Sequence, residues 1–177
     1  MRGLFVIVVA VVVGFAVSPL LRASAACTPV PAAAATTSAR DDWSDEQIAN
    51  ADIIIAIGNQ RRVPREGQVI AIATALQESR LRNLRGGDRD SIGLFQQRPS
   101  QGWGTPRQLH DPAYQTQKFY DKLLKINGWR EMRLTEAAQA VQISAFPEAY
   151  AKHTPAATRL VDELSGPVAA PTCTTKA

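Results

Sequence analysis

The stretch TALQESRLRNLRGGDRDSIGLFQQRPSQGW, Thr74 to Trp103, decides how the rest of the chain is read. An apolar run from Val69 to Leu76 leads into it and ends at a single acid, Glu78. A polar, glycine-containing loop follows with two more acids, Asp88 and Asp90, and then the tight sequence Gly93-Leu94-Phe95-Gln96-Gln97. The run predicts a helix over residues 65–79 whose C-terminal end carries Glu78. Negative charge is disfavoured at a helix C-terminus, and apolar surroundings disfavour it further, so both push the carboxyl pKa upward. A carboxyl group that stays protonated near neutral pH is suited to general acid catalysis.

Working outward, the flanking segments read as helices with short breaks. Ser44 and Gln47 have capping-box spacing, and Asp45 and Glu46 suit a helix N-terminus, which predicts a helix to about Arg61. Val63-Pro64 restarts the chain. Residues 81–98 are polar and glycine-containing, which predicts a loop or small β-hairpin. Thr105-Pro106 and Asp111-Pro112 are helix starts, the second opening a helix to about Ile126 that Asn127-Gly128 stops. Thr135 is expected to cap a helix over 136–144, Phe146-Pro147 to break it, and Pro155 to interrupt the next helical segment. The expected class is mainly α, with a small hairpin making it α+β. Abundant alanine and only 6% aromatics agree with packed helices.

The chain has 177 residues, enough for one domain with a core, and a formal charge of +4. Residues 1–26 read as an export signal: Arg2, an apolar run from Leu4 to Val17, and Ala23-Ser24-Ala25 before the cut. An uncleaved anchor is the alternative, but a helix needs about 20 apolar residues to span a bilayer. Ser24, three residues before Cys27, is not the large aliphatic residue a lipid-modified cysteine needs, so membrane attachment there is disfavoured. Residues 27–42 form a Pro/Ala/Thr linker, 43–165 the globular domain and 166–177 a tail without periodicity. Cys27 and Cys173 bracket the mature chain, and an exported protein meets oxidising conditions, so a disulfide between them is expected. The alternative is two free thiols.

Several chemistries lack their residues. His110 and His153 stand far apart without partnered ligands, no glycine loop fits a phosphate, and no serine or cysteine nucleophile has a local histidine signature. No cofactor is expected. Basic and aromatic residues do not interleave, so nucleic acid is not an expected partner, although the Arg-rich stretch from Arg80 to Arg89 would be the place to look for one.

Gln77-Glu78-Ser79-Arg80 followed by Gly93-Leu94-Phe95-Gln96 resembles the Glu-Ser and Gly-Leu-Met-Gln pattern of lytic transglycosylases and goose-type lysozymes. Gly87-Asp88-Arg89 resembles the Gly-Asp-Arg segment of the goose-type enzymes. The resemblance covers about residues 44–155, with its motifs at 74–104. It implies a lysozyme-like fold and an enzyme cleaving peptidoglycan glycan strands between N-acetylmuramic acid and N-acetylglucosamine; the exported chain is expected to be a monomer. The resemblance maps the catalytic acid onto Glu78, and a second carboxylate onto Asp88 with Asp90 as the spare. Ser79 would hold the chain or the sugar, and Gln96 and Gln97 would line the cleft. Trp103 is a candidate for stacking on a sugar ring, and Tyr150 for hydrogen bonding to Glu78 or substrate. The family's Ala-Tyr-Asn motif has only Ala140-Val141-Gln142 as a counterpart. The competing expectation is a cell-wall-binding module on the same fold, with Glu78 unused.

Overall fold

The structure is a computed structural model that describes residues 42–144 and 146–166. The expected export signal, most of the linker, both cysteines and nearly all of the tail lie outside the described residues.

The described residues are mainly helical. Six α-helices run in order as α1 (Asp45–Gln60), α2 (Arg65–Ser79), α3 (Pro106–Leu109), α4 (Pro112–Leu123), α5 (Leu134–Gln142) and α6 (Thr154–Ser165). A 3₁₀ helix, Pro147–His153, leads into α6. The α1 start is closed reciprocally. Ser44 N–H donates to the Gln47 carboxamide at 2.9 Å, and Gln47 N–H donates to the Ser44 hydroxyl at 3.4 Å.

Helix α2 is the centre. Its residues from Gly67 to Leu76 are all buried, so it has no polar stripe. A helix apolar on every side must be surrounded, and α1, α4, α5, α6 and the 3₁₀ helix all pack on it. Ala71, Ala73 and Ala75 have no exposure, and these small residues allow close approach. Ile72 and Leu76 fill the remaining space, each contributing about 1.5–3 kcal/mol by burial. Phe95 stacks on Phe119 of α4 with centroids 4.7 Å apart, which locks the turn after Gly93 to the core.

Of the loop or small hairpin expected over residues 81–98, the loop is what forms. Among the described residues a single antiparallel bridge between Ile92 and Gln97 stands in the hairpin's place. Only four residues separate these partners, and Gly93 (φ +75°) and Gln96 (φ 47°) turn the backbone through the left-handed region, which leaves no length for a ladder. Helix α4 ends at Leu123 rather than near Ile126. Helix α5 begins two residues earlier than expected and ends at Gln142. Arg133 is its N-cap and Thr135 lies inside it, with a buried hydroxyl that lacks a hydrogen-bond partner. Pro155 does not interrupt a helix; it sits in the first turn of α6, where a missing N–H costs nothing.

Candidate functional site

The C-terminal turn of α2 delivers Glu78 to the junction of three segments: the turn Gly93–Gln97, the end of α5 and the 3₁₀ helix. Glu78 is half-buried. Tyr150, from the 3₁₀ helix, donates its hydroxyl to Oε1 of Glu78 at 3.1 Å. Gln142, the last residue of α5, lies beside the carboxyl and lowers its pKa, and its amide donates to the Phe95 carbonyl at 2.8 Å. Burial raises the Glu78 pKa, while the hydrogen bond from Tyr150 and the neighbouring Gln142 side chain oppose the rise; burial dominates. Burial, then the neighbouring Glu78 charge, holds the Tyr150 hydroxyl well above the ordinary phenol range, so it remains a proton donor in this pair.

Ser79 ties the acid's helix to the turn opposite. Its hydroxyl lies 2.7 Å from the Leu94 carbonyl and 3.1 Å from the Ala75 carbonyl, and it accepts from Arg82 N–H at 3.2 Å. Ser79 is buried, so it holds the chain and not a sugar. The turn needs glycine at position 93. The backbone there is left-handed, and a Cβ would run into the Gln115 amide and come within 2.7 Å of the Leu109 carbonyl.

The backbone around Glu78 is strained. Arg80 (φ 55°), Leu81 (φ 58°), Gln96 (φ 47°) and Ile143 (φ 55°) all occupy the left-handed region, a state non-glycine side chains disfavour. They lie on three different segments that meet at one carboxyl group. Clustered strain of this kind concentrates at functional sites.

Other expected residues fall elsewhere. Gln97 is 1% exposed; its amide donates to the Gln115 carbonyl at 3.2 Å, and it belongs to the core rather than to a cleft wall. Gln96 folds back onto its own turn, donating to the Gly93 carbonyl at 3.0 Å and filling the space beside Gly87. Asp88 stands at an exposed turn with its side chain 93% exposed, 3.9 Å from Arg89. Asp90 is engaged by Ser100 N–H at 2.8 Å and by Arg98 at 2.6 Å, and these bonds hold its carboxyl well below the usual range. Trp103 is nearly buried, and the Lys122 ammonium sits 4.2 Å from its ring centroid, so that face is not open to a sugar. Tyr150 has no exposure, so its partner is Glu78 and not a ligand.

One buried glutamine, Gln115, is not among the residues the sequence points to. Gln115 is fully buried on α4, accepting from Phe95 N–H at 3.0 Å and donating to the Leu109 carbonyl at 2.7 Å. It lies among Thr116, Phe119, Tyr120 and Leu123 on the apolar face, and a polar residue in that stripe was the available signal. Gln142 stands at the end of the Ala140-Val141-Gln142 segment set against the Ala-Tyr-Asn motif, and its place beside Glu78 depends on how α5 docks.

Among the described residues, no group of three His, Cys, Asp or Glu side chains is arranged to hold a metal ion, and no helix is long and apolar enough to cross a membrane. His153 pairs its ring with the Gln77 side chain at 3.1 Å, beside the site but not in it. No protein-family model matches the chain, and no curated protein matches it.

Proposed function

We propose that this is an exported peptidoglycan-cleaving glycosidase of the lysozyme-like type, with Glu78 as its general acid. The observation that carries the reading is a half-buried carboxyl with a raised pKa, braced by Tyr150 and Gln142 and set against a turn that Ser79 holds in place. In this reading Glu78 protonates the glycosidic oxygen between N-acetylmuramic acid and N-acetylglucosamine as the C–O bond breaks. The carboxylate then accepts a proton from the incoming nucleophile.

An inverting hydrolase needs a second carboxylate about 6.5–9.5 Å away to activate water. Asp90 is committed to Arg98 and Ser100, and Asp88 faces solvent beside Arg89. Those positions favour a route with one acid, in which the muramic 6-hydroxyl attacks its own anomeric carbon. Its proton passes to Glu78, and a 1,6-anhydro sugar is left.

The test is digestion of purified peptidoglycan by the mature chain beside Glu78→Gln. Wild type should release muropeptides ending in anhydro-muramic acid, and the variant should be slower by about 10²–10⁴-fold. Reducing-end products would reassign the route to hydrolysis. Equal release by both proteins would remove Glu78 from the mechanism. Sedimentation of both with cell walls without cleavage would make the domain a binding module.

A further inference from the structure

A groove of about 230 Å³ lies between α4 and the turn at 101–103, and the edge of Trp103 forms part of its wall. Lys118, Lys122 and Lys125 line it at helical spacing along one face of α4 and the turn after it. Seven residues of helical rise place Lys118 and Lys125 about 10 Å apart along the axis. None of the three ammonium groups forms an ion pair with a described carboxylate. The one acid in the wall, Asp121, is held by Arg61 at 2.6 Å, so its charge is already matched. Like charges four residues apart on a helix repel one another; Lys118 lies over the Tyr114 ring at 5.3 Å, and Asp121, shared with Arg61, is the single carboxylate set against three ammonium groups.

Lys122 is the fixed member. Its ammonium lies over the Trp103 ring and donates to the Val141 carbonyl at 2.8 Å. An ammonium has three donors, so two remain for a ligand. Partial burial lowers its pKa, a shift that an anion in the groove would reverse. The groove also adjoins the site described above: Lys122 holds the Val141 carbonyl, and the next residue, Gln142, holds the Phe95 carbonyl beside the Glu78 carboxyl.

We propose that this groove is a carboxylate-binding subsite that receives the peptide stems of the peptidoglycan strand whose sugars lie at Glu78. The inference rests on the glycosidase reading for the identity of the strand. It makes the preferred substrate a peptide-bearing strand rather than bare glycan. A strand crossing the end of α5 carries its stem carboxylates past Lys122, with Lys118 and Lys125 on either side.

The test uses the mature chain carrying K118E and K125E together. Both residues lie outside the Glu78 network, and their partly or fully exposed side chains make a folding defect unexpected. Sedimentation is measured in the Glu78→Gln background with intact walls and with strands stripped of stems by an amidase; KM and kcat are measured with Glu78 intact. The charge reversal should weaken sedimentation with peptide-bearing walls about tenfold. It should raise KM by the same factor with kcat unchanged, and leave stripped strands unaffected. Added salt should erase the difference. An equal loss on both substrates, or no loss on either, overturns the proposal. So does a preference for a phosphodiester polymer or nucleic acid over the stem carboxylates. If the double variant loses sedimentation while Glu78→Gln cleaves as well as the parent, the groove stands and only the glycosidase reading falls. If the parent neither sediments nor cleaves, both fall.

Discussion

The Tyr150 hydroxyl donates to Oε1 of Glu78 across 3.1 Å, joining residues 72 positions apart in the chain. The bond stabilises the ionised carboxylate and so opposes the upward shift that burial imposes. Tyr150→Phe removes the donor and leaves the ring in place. The Glu78 pKa should rise further, and the alkaline limb of the rate profile should move to higher pH. A pH–rate series on peptidoglycan checks the direction; a limb that stays put or moves to lower pH would deny Tyr150 this influence.

Ser79→Ala should cost about 1–3 kcal/mol, because it removes the donor to the Leu94 carbonyl and leaves Arg82 N–H only the Ser79 backbone carbonyl as acceptor. The loss is local to the clamp between α2 and the turn. Activity should therefore fall more steeply than stability, since the turn faces Glu78. Chemical denaturation read beside turnover separates the two effects. Equal turnover per folded molecule would reduce Ser79 to a plain stabilising residue.

Helix α2 and its acid were legible because an uninterrupted apolar run must be surrounded, and such a run ending in one carboxyl has few readings. The Ser44 capping box, the α3 start at Thr105 and the α4 start at Asp111 were legible for local reasons: each cap is satisfied within three residues. The partners of Glu78 were less so. Tyr150 was named as one of two options, while Gln142 reaches the acid only once α5 has packed against α2 and α4. Of the loop or small hairpin that residues 81–98 allow, the loop forms, since turn residues between apolar positions do not say how many rungs will follow. Gln97 and Trp103 were misplaced for a related reason. Both stand in a loop-like stretch, yet the core closes over them: Gln97 under Gln115, and Trp103 under Lys122.

Gly93→Ala should destabilise the protein by about 2–4 kcal/mol, combining left-handed backbone strain with overpacking. The new methyl would meet the Gln115 amide and the Leu109 carbonyl, and a buried amide with three partners has little room to yield. Thermal unfolding measures the cost. A variant within about 0.5 kcal/mol of wild type would mean that the turn relaxes without loss.

Ile143→Gly should have the opposite sign. Ile143 is the C-cap of α5, left-handed at φ 55° and 75% exposed, so its β-branched side chain is strained and contributes little burial. Glycine relieves that strain and should add about 1 kcal/mol, or about 3–6 °C in Tm. Calorimetry checks it. A fall in Tm would mean that the Ile143 side chain contributes more packing than its exposure indicates.

Glu78→Gln links stability to catalysis. The native carboxyl titrates above its ordinary value of 4.5 because burial disfavours the ion. Below about pH 4.5 the group is protonated in both folded and unfolded chains, and its contribution to stability is fully present. As pH rises through the native pKa, the half-buried site must hold a charge and that contribution is lost. Glutamine stays neutral throughout. The variant should therefore match wild type in acid and become the more stable of the two above the native Glu78 pKa. Unfolding curves across a pH series measure the gap. In wild type, turnover should decline over the same interval in which the gap opens, because one proton governs both quantities. A constant gap, or a rate that falls in a different pH range, would separate the buried carboxyl from the catalytic acid.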